Sequence, residues 1–145
     1  MAAGYSGTPL VGKLGIKPGH AVVLAGAPAG WSVDNLPERV RITRRLPARP
    51  VDVIVAFFSR LARLEEAVPD LAERIVPDGA VWIAWPRRAG GHTSDITEND
   101  IRAAVLPLGL VDVKVAALDE DWSGLKVVWR KELRSSRVRS APCRS

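Results

Sequence analysis

Cysteine is almost absent: Cys143 stands alone near the end of the 145-residue chain. No disulfide can therefore form within the chain, and no cysteine-based zinc site can be built. Histidine is nearly as scarce, and His20 and His92 alone cannot make a histidine-rich metal site. No apolar run approaches the roughly 18 residues that a membrane-crossing helix needs. The opening MAAGYSGTPLVGKLG lacks the basic start and the apolar stretch of a secretion signal. The expected setting is the cytoplasm, with no membrane contact and no metal. There is no internal repeat. Ser59 and Ser123 have no visible base and acid partners, so a hydrolase triad is not supported.

What is present is enough apolar material for one core. The chain is 47% hydrophobic and 26% charged with a mean hydropathy of +0.04, which argues against disorder. A chain of this size is expected to bury roughly 68–70% of its unfolded surface. The net charge of +5 is unevenly placed. Residues 130–145 hold Arg130, Lys131, Arg134, Arg137, Arg139 and Arg144 against Glu132, so the rest of the chain is neutral. The sequence divides into an N-terminal helical arm over 1–18, an α/β core over 19–130 and a basic, disordered tail over 131–145. A second basic cluster, Arg39, Arg41, Arg44, Arg45 and Arg49, has no acid within it and reads as a solvated strand edge and loop, with an anion-binding patch as the alternative.

Along the chain, Thr8-Pro9-Leu10 is a helix start, with Thr8 as cap, Pro9 at the first helical position and Gly15 as the stop. The apolar run 20–25 predicts a buried strand, ending in the turn-rich GAPAGW. Val40 and Ile42 suggest a second strand of undecided direction. Residues 51–58 form the strongest strand, closed by Ser59 as the cap of the next helix. That helix carries Leu61, Leu64, Val68, Leu71 and Ile75 on one face, and Pro69 is expected to bend or split it. Val76-Pro77-Asp78-Gly79 then turns into a strand over 80–85. Thr97 caps a helix with an acid three residues on and Ile96 and Ile101 as a hydrophobic staple, stopping at Gly109. Strands over 111–118 and 125–130, joined by 119–124, make an antiparallel hairpin.

This order predicts a single three-layer, Rossmann-like α/β domain with a mostly parallel sheet of about six strands ending in that hairpin. Ligands bind beyond the carboxyl ends of such strands. If the penultimate strand is parallel, the loops 26–31, 57–60, 86–96 and 119–124 share one rim. The candidate site residues on it are Gly26, Gly30, Trp31, Arg87, Arg88, His92, Asp95, Asp119, Asp121, Trp122 and Ser123. Arg87, Arg88 and His92 lie before a capped helix, where an anion is favoured. The acids 119–121 could pair with Arg87 and Arg88. Trp31 and Trp122, the latter at the hairpin tip, could stack on a flat ligand or lid the core edge. Trp82, Trp85, Trp129 and His20 read as structural.

Nucleoside binding is not favoured. A dinucleotide or S-adenosylmethionine site needs a glycine-rich first turn and an acid after the second strand. Here the turn is GAPAG, and Thr43, Arg44 and Arg45 follow the second strand.

The segments GYSGTPLVGKLGI, GAPAGW, DLAERIVPDGAVWIAWPRR, TSDITENDIRAAVLPLGLVDVKV and DEDWSGLKVVWRK, in this order over residues 3–131, resemble an uncharacterised bacterial family named domain of unknown function 3052. More distantly, VDVIVAFFSR followed by a helix, PDGAVWIAWP and a terminal hairpin is similar to the second half of class I methyltransferases. That resemblance implies a terminal antiparallel strand inserted beside its neighbours. No methyltransferase catalytic residue carries over, since Phe57-Phe58-Ser59 differs from the usual polar motif. The expected function is a non-catalytic binding or regulatory module with no cofactor, S-adenosylmethionine included, and with a protein partner or a small anionic ligand. The alternatives are a minimal transferase or anion-binding enzyme using His92 or Asp95 as acid–base group on the same rim, and weak, non-specific nucleic-acid contact through the tail. Oligomeric state is not readable from the sequence.

Overall fold

The computed structural model describes residues 9–87 and 94–134. Thr8, Arg88, His92 and the tail beyond 134 lie outside the described residues, and with them the expectations placed on those positions.

The elements follow the predicted order: α1 (Leu10–Leu14), β1 (Ala21–Ala25), β2 (Arg41–Thr43), β3 (Val51–Phe57), α2 (Leu61–Glu73), β4 (Ile75–Pro86), α3 (Glu98–Val105), β5 (Leu110–Ala117) and β6 (Trp122–Trp129). They build a six-stranded sheet in the order β2-β1-β3-β4-β6-β5. The first four strands in that order pair in parallel, while β6 is antiparallel to both β4 and β5. This settles the direction of β2, and it gives β5 the sense of the parallel strands.

The central strands are apolar on both faces because both faces are covered. One face places Ile54, Ala56, Val81, Ile83 and Leu125 against α2 and α3. The other places Val53, Val55, Phe57 and Trp82 against Leu14, Ile16 and Val33. That second cover is thin. Among the described residues it consists of a five-residue helix with Ile16 after it, the loop between β1 and β2, where Val33 is buried, and Leu118. Leu14 and Ile16 belong to this core, so residues 10–16 pack as part of the domain.

Several local expectations are corrected. Pro9 occupies the N-cap of α1 rather than its first turn, although Gly15 does close the helix in the left-handed region at φ 75°. Pro69 does not split α2, which runs on through it with Leu64, Val68, Leu71 and Ala72 buried on either side. Residues 76–79 belong to β4, at an irregularity opposite Val51 and Val53. Ser59 does not cap α2. Arg60 stands at the N-cap without a side-chain hydrogen bond, and the Leu61 N–H instead donates to Asp95 Oδ1 at 2.8 Å. The hairpin is tighter than expected, since β6 begins at Trp122. The α3 start is as read: Thr97 and Asp100 form a reciprocal capping box, and Gly109 ends the following turn at φ 100°.

α3 is tied to the edge strand by Arg102, which donates to Asp112 at 2.9 Å, Glu98 at 3.0 Å and Asn99 at 3.0 Å. The Arg102 hydrogen bond holds the Asp112 carboxyl below its ordinary range, with burial opposing it. A depressed folded-state pKa contributes stability above the unfolded value of about 3.9, which is lost as pH falls through the folded value. The carboxyl signal of Asp112 should therefore titrate below that of a free aspartate in an NMR pH series. Arg102→Ala should return it upward.

Candidate functional site

The carboxyl ends of β1, β3 and β4 and the β5–β6 turn meet along one edge, joined by hydrogen bonds between loops distant in sequence. Trp31 Nε1–H donates to Asp119 Oδ2 at 2.8 Å, linking the loop after β1 to the hairpin. The Arg87 N–H donates to Asp121 O at 2.8 Å, linking the end of β4 to the same hairpin. Asp95 reaches the start of α2, and Ser94 Oγ contacts Ser59 O at 3.5 Å.

Asp119 is the hub. Its Oδ1 accepts the N–H groups of Asp121 and Trp122, both at 2.8 Å, while Oδ2 accepts the Trp31 indole. An aspartate that bonds backbone two and three residues ahead nucleates a turn. Here the same carboxylate also latches a tryptophan 88 positions away. Asp119→Ala leaves these donors without their partner, and the expected cost is about 2 kcal/mol by the penalty for charged hydrogen bonds lost. Chemical denaturation measures this. Asp119→Asn should recover part of it, because an amide oxygen can serve either the turn or the indole while its NH2 can accept from neither.

Arg87 braces the hairpin from the other side. Its Nη1 donates to Asp119 O at 3.0 Å and Glu120 O at 3.5 Å. The expected pairing of Arg87 with the acidic side chains is thus replaced by bonds to their main-chain carbonyls. Glu120 and Asp121 are exposed.

The tryptophans are joined by a ring that sequence reading left out of the site. Phe57, at the end of β3, sits between Trp31 at 4.7 Å and Trp122 at 5.0 Å, both edge to face at 70° and 85°. Such geometry is favoured by the quadrupoles of the rings. Phe57 is buried and the two tryptophans are half-buried. Trp122 therefore opens β6 rather than standing at a hairpin tip, and Ser123 and Gly124 are strand residues paired with Trp85 and Ala84.

Gly26 begins the first turn at φ 71°, and a Cβ there would lie 3.1 Å from Phe57 O. The left-handed backbone and the close approach both require glycine. Gly30, at φ 80°, needs it for conformation alone. Arg44, where a ribose-binding acid would stand, donates through Nη2 to Trp31 O at 2.6 Å. The other arginines of that cluster, Arg39, Arg41, Arg45 and Arg49, are exposed. His20 accepts the Lys17 N–H on Nδ1 at 3.1 Å, a turn-closing contact. Among the described residues, no three His, Cys, Asp or Glu side chains gather as a metal site, and no helix is long and apolar enough to cross a membrane.

The fold is similar to that of several solved methyltransferases. The magnesium protoporphyrin IX methyltransferase of Synechocystis PCC 6803, solved with bound SAM, superposes with a TM-score of 0.57 at 12% identity, over 83% of this chain and 74% of that one. The ribosomal protein L11 methylase of Lactobacillus delbrueckii subsp. bulgaricus gives 0.55 at 13% identity, over 83% and 75%. A SAM-dependent methyltransferase of Aquifex aeolicus gives 0.53 at 14%, over 81% and 86%. No protein-family model and no curated protein sequence matches the chain. At these identities the likeness defines a fold, and the activity has to be argued from the site.

Proposed function

We propose that this protein is a binding or regulatory module on a methyltransferase-like scaffold, without group-transfer activity, and a member of the bacterial family named domain of unknown function 3052. The family assignment rests on the ordered motifs across residues 3–131. The observation that carries the functional reading is the Trp31–Phe57–Trp122 stack latched to Asp119, which stands at the edge where strands of this topology receive ligands. Three positions along that edge make their contacts within the protein. Gly26 packs on the Phe57 carbonyl, Arg44 holds the Trp31 carbonyl, and Asp95, the acid of the enzymatic alternative, accepts from the start of α2. The rim presents this surface to a partner.

A thermal-shift screen against S-adenosylmethionine, S-adenosylhomocysteine, nucleotides and sugar phosphates tests this reading. A ligand at 100 times its Kd adds about 2.7 kcal/mol, or roughly 4 °C and more in a chain this size. The expected result is no shift for the wild type. A reproducible shift with any one class would replace the module with the enzymatic reading. Trp31→Ala run in parallel reports whether the indole is what closes the edge.

A further inference from the structure

The chain has five lysines among its 21 basic residues, and three of them meet on the thinly covered face of the sheet. Lys114 and Lys126 are register partners across β5 and β6. Lys114 Nζ stands 5.8 Å from the centroid of the Trp82 ring. Lys126 Nζ reaches toward the turn after α1, 3.9 Å from where a Gly15 Cβ would stand. Burial, with repulsion from Lys114 and Lys17, holds the Lys126 pKa below the ordinary lysine value. Among the described residues, no carboxylate forms an ion pair with any of the three.

Like charges placed directly opposite in an antiparallel pair are destabilising. The Trp82 ring offsets part of that cost at Lys114, and a local arrangement that still costs stability points to a functional surface. Residues 1–8, 88–93 and 135–145, outside the described residues, contain no Asp or Glu. A partner of opposite charge would supply what the described residues lack.

The surroundings specify that molecule further. Sheets of this type bury both faces under helices, yet among the described residues the one helix on this side is α1, of five residues. Val111 and Val128, a register pair on this face, stay half-exposed beside the lysines. A phosphate backbone would have no use for that apolar pair, and the Trp82 indole beneath the patch is fully buried and offers no base a stacking surface. We propose that this face docks an amphipathic helix of a partner protein, one that carries carboxylates beside an apolar stripe and packs over β5 and β6. The surface is separate from the rim, so failure of either reading leaves the other standing.

The test uses the full chain and a fluorescent helical peptide of about 18 residues, long enough for five turns, with Glu and Leu on one face. Its controls are a scrambled peptide of the same composition and a single-stranded oligonucleotide. Fluorescence anisotropy should show the amphipathic peptide bound about tenfold or more tightly than the scrambled one, a gap of about 1.4 kcal/mol. The charge reversal K114E/K126E should weaken it by a similar factor, while R137A/R139A in the tail should not. Lys126→Met should raise the melting temperature of the free protein while weakening the peptide. Equal binding of the scrambled peptide, no peptide binding, or tighter oligonucleotide binding lost in the same lysine variants would overturn the proposal. So would self-association abolished by the reversal, or a Lys126→Met protein that melts lower.

Discussion

Phe57→Ala should lower stability by about 3–5 kcal/mol, the range for removing a buried aromatic side chain and leaving a cavity. In a chain of this length that corresponds to a fall of roughly 10 °C in melting temperature. The size of the effect follows from position. Phe57 ends β3, belongs to the core beneath α1, and is the middle ring of the Trp31–Phe57–Trp122 stack. Its loss removes core burial and an edge-to-face partner from each of two tryptophans. Both indoles should then become more mobile and their emission should shift to the red. Phe58, half-buried against the other face, is the control, and Phe58→Ala should cost less. A Phe57→Ala protein as stable as wild type, with unchanged emission, would mean that the stack does not hold the rim closed.

The same residue shows what could be read from the sequence and what could not. The run VDVIVAFF announces a strand buried on both faces, and β3 occupies it. Nothing in the run says that its last buried ring will stand between tryptophans 26 residues before it and 65 residues after it. The rim itself was legible, because strand alternation fixes which loops share an edge. What those loops do to one another was less so. The Asp119-Glu120-Asp121-Trp122 segment carries a signal that could have been used, since an aspartate ahead of two turn residues commonly bonds their N–H groups. Its second bond, to the Trp31 indole, is set by tertiary folding.

The misread boundaries have a common cause. Pro77-Asp78-Gly79 has turn composition, but an irregular stretch of strand asks for the same residues. At Gly79 a Cβ would lie 2.8 Å from Asp52 O and 3.1 Å from Val76 O, so the backbones close up there without the chain reversing. Ser59 looks like a cap because caps are usually local. The carboxylate that α2 uses comes from Asp95, 34 residues from the N–H it accepts, and at a helix N-terminus a negative charge adds a favourable interaction with the macrodipole. Pro69 removes one hydrogen bond from α2, but the buried residues around it hold the helix against the sheet. In each case a long-range contact overrides a sound local rule.

Trp82→Ala carries the other large expected loss, again about 3–5 kcal/mol, and its consequences should reach α1. Trp82 is fully buried in β4, and its Nε1–H donates to Leu14 O at 3.3 Å across the thinly covered face. A helix of five residues has no stability of its own, so α1 depends on that bond and on the burial of Leu14. Amide exchange over residues 10–16 should therefore quicken more than exchange in α2. Trp82→Phe keeps most of the apolar contact and loses the donor, and the expected cost falls to about 1–2 kcal/mol. Gly124 makes the dependence testable from the facing strand. A Cβ at Gly124 would stand 3.0 Å from Trp82 Cε3 and 3.1 Å from the methyls of Leu118, so Gly124→Ala should destabilise the wild type by pressing on the indole. In the Trp82→Ala background that pressure is gone and the added methyl enters the space left behind. The two substitutions should then cost less together than the sum of their separate effects, as neighbours in one packed site do. Strict additivity in a double-mutant cycle would show that Gly124 and Trp82 do not share the contact on which α1 is seated.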